Sequence, residues 1–371
     1  MKKKYIIFSI VTLVLLVSFL SYSKYLKTTN VCKEDVKPTK ITKGISMNFE
    51  QTAGAGDYKQ VTQSSWPTEG YKFNEELSKC ENGSEISWDD TKKAVIVSGN
   101  LADKCYVYFD IYQPTLAEYI KSQYTGTQGD NALYYHNSTL TNGAGDNSYR
   151  YAGASDSVNN YICLGSDEAT CPDANLFRII GVFGDQTKVI RAKSIGNQKW
   201  DTNNSNTWSS SSLNTYLNGE YLTSLGTIAE KIATTTWKVG GRSSTYLYDV
   251  PTTAYQYEVG SSASTTTYDA KIGLMYVSDY GFAADQSGWT TKLDSYGSNS
   301  SKNWLYLGSF EWTISRNSDL ASSAFFVYST GYVNYYYVYI NSFAVRPVFN
   351  LESSVKYVSG SGSMSDPVRV N

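Results

Sequence analysis

The distribution of apolar positions divides the chain before any single residue is weighed. An apolar stretch from Tyr5 to Leu20 follows Lys2, Lys3 and Lys4. A membrane-spanning helix needs about 20 apolar residues, a range that Tyr5 to Tyr22 reaches. A cleaved signal peptide is the competing reading, but Ser21 and Ser23 make a weak small-residue cleavage site. The pattern favours an uncleaved signal anchor over residues 1–23, its basic flank holding the N-terminus in the cytoplasm. The expected placement is single-pass in the cell membrane with the C-terminal part extracellular; secretion is the alternative. Residues 24–44 are polar and rich in Lys and Thr, and read as a stalk. Cys32 does not directly follow a short apolar run, as a lipidated cysteine would, and is expected to be free.

From residue 45 to 112 short apolar runs alternate with turns: Ile45 to Phe49, Tyr71 to Phe73, Glu85 to Trp88, Ala94 to Val97 and Tyr106 to Ile111. Such spacing predicts a small all-β, sandwich-like module. Residues 113–160 hold a brief helical pattern at Leu116, Tyr119 and Ile120 behind Pro114 and Thr115. A polar stretch rich in Gly, Asn and Tyr follows, so the whole segment reads as a linker and polar arm. The last unit is expected over residues 161–371. It shows strand runs at Leu176–Phe183 and Lys188–Ala192, and helical spacing through Leu213, Leu217, Tyr221, Leu225 and Ile228, interrupted near Gly219 and Gly226.

The most distinctive pattern lies between Ala324 and Leu351. Tyr328, Tyr332, Tyr335, Tyr336, Tyr337 and Tyr339 are interleaved with Val, Asn, Ser and Gly, between two runs of buried-strand type. Tyrosine gives a large, stiff, amphipathic contact at little rotamer cost, while Ser, Gly and Asn supply adaptable hydrogen bonds, the chemistry of binding loops. A β-rich core with a solvated edge is the plainer explanation, since Tyr favours strands. Adjacent tyrosines, however, alternate between the two faces of a strand, and a core needs only one of them. Val327, Val333, Val338, Phe343, Val345, Val348 and Phe349 are expected as framework, with Arg346 stacked on a Trp or paired with a buried carboxylate.

Composition sharpens this picture. The 371 residues include 33 Tyr but 13 Phe, 7 Pro and a single His, with a formal net charge of −2. A nearly balanced chain gives no reason to expect nucleic acid as a partner. The five cysteines suit an exported protein, with Cys80 and Cys105 bounding the first module and Cys163 and Cys171 flanking a Gly-Ser-Asp turn. Two disulfides, Cys80–Cys105 and Cys163–Cys171, are expected, with buried thiols as the alternative for the first pair.

Candidate chemistry is sparse. His136 stands in a polar loop without a Ser or Cys nucleophile around it. Asp279 and Glu311 are carboxylates that could serve a glycosidase, but no spacing fixes them in one cleft, and Asp279 reads as a turn cap. Val239-Gly-Gly-Arg242 lacks the Lys of a phosphate loop, and no Cys/His set completes a zinc site. No metal and no cofactor is expected, and the chain is read as a non-enzyme. Trp200, Trp208, Trp237, Trp289, Trp304 and Trp312 are assigned to the core.

The segments Leu176–Phe183, Trp208–Gly219, Lys271–Gly281, Asn303–Leu305 and Ala344–Leu351 together resemble an uncharacterised bacterial surface-protein domain of C-type-lectin-like appearance. The closing Val345-Arg-Pro-Val348 strand is similar to the one that ends the variable region in target proteins of diversity-generating retroelements. That resemblance implies an α+β chain whose terminal domain is C-type-lectin-like, mixed and loop-rich with an antiparallel sheet. It also implies a displayed binding face and transfers no active site. The functional expectation is a cell-surface ligand-binding protein that meets an unknown protein or glycan through Tyr328, Tyr332, Asn334, Tyr335, Tyr336, Tyr337, Tyr339 and Asn341. Alternatives are an extracellular glycan- or cell-wall-acting hydrolase and a structural envelope protein.

Overall fold

The computed structural model describes residues 44–62, 67, 70–89, 92, 94–100 and 103–371. It divides into two compact units, meeting in sequence at Gln113 and Pro114. The described residues are mainly β, with few and short helices. Among the described residues no helix is long and apolar enough to cross a membrane. The expected α+β class, with its membrane helix and C-type-lectin-like terminal domain, is corrected accordingly, and the single-pass membrane placement loses its support. The stretch on which that placement rested, residues 1–23, lies outside the described residues, as do the stalk up to residue 43 and Cys32.

In the first unit, Gly44–Glu50 lies between Tyr58–Val61 and Lys104–Ile111, and Lys104–Ile111 also pairs with Tyr71–Cys80. Gly44–Glu50 and Lys104–Ile111 run parallel, with Met47 opposite Val107 and Phe49 opposite Phe109. Period-two alternation puts these four on one face, where all are buried together. The separate hairpin Glu85–Asp89 and Ala94–Ser98 brings Trp88 edge-on to Phe109 at 5.1 Å. Cys80 falls opposite Cys105 in the ladder, and the two form a disulfide.

The stretch expected as linker and polar arm belongs to the second unit. Its helix Leu116–Ser122 opens on a capping box, in which Glu118 N donates to Thr115 Oγ1 at 3.1 Å and Thr115 N to Glu118 Oε2 at 2.7 Å. Leu116, Ala117 and Ile120 enter the main core. Leu133–Tyr135 and Tyr149–Tyr151 pair with each other and join the large sheet through Leu176–Phe183. Gly181 is required at that junction, because a Cβ there would lie 2.2 Å from Tyr149 O.

This sheet has nine strands. Seven form a continuous path: Ile272–Gly273, Val348–Leu351, Gln186–Arg191, Leu176–Phe183, Tyr161–Cys163, Val368–Val370 and Tyr357–Ser359. Val368–Val370 runs parallel to Tyr161–Cys163 and sits between it and Tyr357–Ser359. The Cys163–Cys171 disulfide closes the loop that follows Tyr161–Cys163. A second sheet of five strands runs in the order Asn197–Gln198, Phe343–Ala344, Glu311–Arg316, Ser323–Val327 and Val333–Tyr337. The helical period read over residues 211–232 resolves into short pieces: Ser212–Tyr216, capped by Ser211, a wide turn over Leu217–Tyr221, then Leu222–Ser224 and a tighter turn over Gly226–Lys231.

The six tryptophans named above are fully buried. Five of their indoles reach a carbonyl: Trp200 to Thr313, Trp237 to Ala270, Trp289 to Ala284, Trp304 to Tyr151 and Trp312 to Gln198, all within 2.8–3.0 Å. Large apolar area is thus buried without leaving those donors unpaired. Arg346 pairs with Glu311 in the core, Nε to Oε1 at 2.6 Å and an amino group to Oε2 at 2.8 Å. His136, expected in a polar loop, is buried between Phe282 and Trp289, with ring centroids 4.9 and 5.0 Å away. Its Nδ1 accepts from Ala144 N at 3.1 Å, so the neutral ring carries its proton on Nε2, which has no partner among the described residues.

Removing one member of the Arg346–Glu311 pair leaves an uncompensated charge in the core, so Glu311→Gln or Arg346→Met alone should cost about 3–5 kcal/mol. The double variant Glu311→Leu, Arg346→Met should recover part of that loss in denaturant unfolding, whereas two single losses under about 1 kcal/mol would show that the pair is dispensable. His136 is held well below its ordinary pKa by burial and then by the nearby Arg150, against the weaker pull of Asp146. Its folded pKa is depressed, so its contribution is complete above the unfolded value near about 6.5 and declines as pH falls below it, because only the unfolded chain takes up the proton. The stability of wild type relative to His136→Asn should fall by about 1.4 kcal/mol per pH unit below that point. Parallel pH profiles for the two proteins would disprove the assignment.

Candidate functional site

The tyrosine-rich run is a hairpin at the margin of the five-stranded sheet. Ser323–Val327 pairs antiparallel with Val333–Tyr337, setting Val327 opposite Val333, Phe325 opposite Tyr335 and Ser323 opposite Tyr337. The inner strand is buried along its whole length, because Ala324 to Val327 is continuously apolar and sits between two strands. The outer strand turns from buried at Val333 to exposed at Tyr336 and Tyr337. Gly331 allows the turn between them: its φ is 95°, and a Cβ there would lie 2.8 Å from Ser300 Cβ. The framework residues Val327, Val333, Val338, Phe343, Val345, Val348 and Phe349 are all buried.

The structure sorts the eight residues read as ligand-binding into three groups. Tyr336, Tyr337 and Tyr339 are 39%, 46% and 37% exposed, and Asn341 is also exposed. Their rings form a chain of edge contacts, Tyr336 to Tyr337 at 5.8 Å and Tyr337 to Tyr339 at 6.2 Å. Tyr328 and Tyr332 stack on each other across the turn at 4.5 Å and are half-buried, with Tyr328 packed edge-on against Phe310. Burial raises the Tyr332 phenol, and neighbouring Tyr328 adds to the effect.

Asn334 and Tyr335 form the third group and are tied into the unit. Tyr335 packs against Phe325 at 5.7 Å and Tyr248 at 6.2 Å. Asn334 Oδ1 accepts from the Tyr248 hydroxyl at 3.1 Å and from Tyr335 N at 2.8 Å. Burial, followed by Tyr335 and Asp294, pushes the Tyr248 phenol up to about 12, so it remains a donor at ordinary pH. These two residues support the hairpin more than they display it.

Two contributors escaped the sequence reading. Ile340 is 44% exposed beside Tyr339 and extends the apolar part of the surface. Its signal was present, an isoleucine next to an asparagine in a turn, but the tyrosines around it drew the weight. Tyr248 is the other, and nothing local in the sequence marks a tyrosine that far from the hairpin as its support.

The carboxylates considered for hydrolysis are otherwise engaged. Asp279 is buried, with Lys188 Nζ at 2.5 Å from Oδ2 and Arg150 at 3.5 Å from Oδ1. It also accepts Tyr276 N at 2.9 Å, at the start of the helix Val277–Phe282. Arg150 is in turn paired with Asp146 at 2.6 Å. Glu311 is buried, and although burial raises its pKa, both carboxylate oxygens are bonded by Arg346. Each carboxylate thus neutralises a buried cation, and neither is presented to solvent.

Comparison with known proteins adds one match. Residues 184–353, under half of the chain, match the family model described as a domain of unknown function, DUF6273. That span includes the whole tyrosine hairpin and the Glu311–Arg346 pair but not the first unit. No curated protein and no solved structure matches the chain.

Proposed function

We propose that the second unit is a binding domain that presents Tyr336, Tyr337 and Tyr339, together with Ile340 and Asn341, to a protein or glycan ligand. The observation that carries the reading is the contrast along one short segment. Three rings remain partly open to water, while the valines around them, Val327, Val333, Val338 and Val345, are buried. Exposed aromatics next to a rigid framework contribute to a complex rather than to the fold. The surface is also uncharged from Tyr328 to Ser342, so contact there depends on shape, stacking and hydrogen bonds. The alternative of a hydrolase finds less support, since Asp279 and Glu311 are committed to ion pairs.

The resemblance to diversified target proteins fits the same arrangement, a constant framework carrying replaceable surface residues. In that reading the coding DNA would lie near an imperfect copy of the stretch encoding residues 324–350.

The triple variant Tyr336→Ser, Tyr337→Ser, Tyr339→Ser separates display from core. Wild type and variant would be screened against a glycan array and a displayed peptide library, with melting followed in parallel. The variant should melt within a few degrees of wild type and lose about tenfold or more in affinity for any ligand found, as expected when interface hot spots are removed. A collapse of the melting transition, or equal binding by both proteins, would refute the reading. Tyr335→Ser serves as contrast and should itself destabilise the unit by about 1–2 kcal/mol, because its ring is half-buried against Phe325.

A further inference from the structure

The strand that carries the exposed tyrosines is also the end of its sheet, and its ladder fixes which of its backbone groups face outward. Val333–Tyr337 has Ser323–Val327 on one side and, among the described residues, no strand on the other. Tyr328 N donates to Tyr332 O at 2.8 Å and Val338 N to Ser322 O at 3.0 Å. In an antiparallel pair, hydrogen-bonded and non-hydrogen-bonded positions alternate. The inward-bonding positions are therefore Tyr332, Asn334, Tyr336 and Val338, and the backbone of Val333, Tyr335 and Tyr337 points away from the sheet.

These outward groups are treated differently along the strand. At the turn end, Gly297 and Ser300 lie against Thr330 and Gly331 and close the margin. The Tyr335 amide is taken by the side chain of Asn334. Beyond it, the Tyr335 carbonyl and both the amide and the carbonyl of Tyr337 have no hydrogen-bond partner among the described residues. An open row of this kind is a template for pairing, and proteins ordinarily guard it with Lys, Glu, Pro or a bulge. From Tyr328 to Ser342 there is no charged residue and no proline, and the pairing with the inner strand is free of register shifts.

Resting on the binding face proposed above, we infer that its ligand is a polypeptide in extended conformation, which adds as a further strand beside Tyr335–Tyr337. The carbonyls of Tyr335 and Tyr337 accept from the added strand and the Tyr337 amide donates to it, while the rings of Tyr336, Tyr337 and Tyr339 cover its side chains. Recognition of this type reads backbone first, so it tolerates many side-chain sequences and requires free amides in the ligand.

A synthetic peptide of alternating Thr and Val flanked by Lys is the probe, with a fully N-methylated twin that cannot donate. Binding to the whole protein is followed by fluorescence anisotropy and by amide exchange at Tyr337. The inference expects the plain peptide to bind, the twin not to bind, and exchange at Tyr337 to slow in the complex. Tyr337→Pro deletes the outward amide and spares the inner ladder, since Pro is tolerated where a strand N–H faces outward. Tyr337→Ser keeps that amide and deletes the ring. The proline variant should lose about tenfold more affinity than the serine variant, the scale of one lost hydrogen bond that leaves its partner unsatisfied. Equal binding of peptide and twin, equal losses in the two variants, or a glycan as the only ligand bound would overturn strand addition while leaving the aromatic face intact. If the triple serine variant binds every ligand as wild type does, the face itself has failed, a distinct result. The twin peptide tests the unmodified protein, so the answer does not depend on the proline variant folding.

Discussion

The second unit depends on what happens where its chain passes from one sheet to the other. Phe343–Ala344 belongs to the five-stranded sheet and Val348–Leu351 to the nine-stranded one, with only Val345, Arg346 and Pro347 between them. Arg346 stands at this crossing, bonded to both oxygens of Glu311 and to Leu305 O at 2.5 Å. Taking two charges out of water costs several kcal/mol per ion, and only near-ideal geometry recovers it. The planar guanidinium meets that demand as a lysine could not, because its fork matches the carboxylate. Once formed, the pair admits little displacement of one sheet against the other.

The tyrosine hairpin inherits its rigidity from that crossing. Glu311 opens the strand Glu311–Arg316, which pairs with Ser323–Val327, which in turn carries Val333–Tyr337. Beyond Val333, and Val338 just after its end, the outer strand contributes little core of its own, so its position is set through the inner one. Tyr248 and Asn334 then fix the pitch of Tyr335 from the side. The outward rings at Tyr336, Tyr337 and Tyr339 are less buried than the valines that hold the hairpin, so the fold leans on the valines more than on the rings.

Sequence alone revealed the parts of this arrangement that rest on local pattern. Cys80 and Cys105 could be paired because each borders a strand, and the ladder does set them opposite one another. Burial of the valines around the tyrosines followed from their place as apolar positions bounding a loop-rich run, and Arg346 was recognisable as a residue needing a planar partner. Long-range pairing stayed hidden. Leu133–Tyr135 and Tyr149–Tyr151 are too short and too polar in context to announce themselves, and they become strands only because Leu176–Phe183 is there to receive them. His136 is buried by Phe282 and Trp289, which no local signal connects to it. The helical period over residues 211–232 was real as an apolar face, but Gly219 and Gly226 divide it into turns.

The parallel pairing of Val368–Val370 with Tyr161–Cys163 bears on how the unit is made. The strand that fills this side of the large sheet is synthesised long after its partner, with most of the unit between the two. Contacts separated so widely in sequence form late, after a large loss of chain entropy. Until they form, Tyr161–Cys163 has an unfilled side, with Ile162 bracketed by Tyr161 and Cys163. A nascent chain therefore passes through an interval in which its sheet is open at this position and able to pair with a neighbour. The Cys163–Cys171 loop, whose carbonyls at Ser166 and Glu168 later accept from Arg369, closes over only eight residues and can be in place throughout that interval.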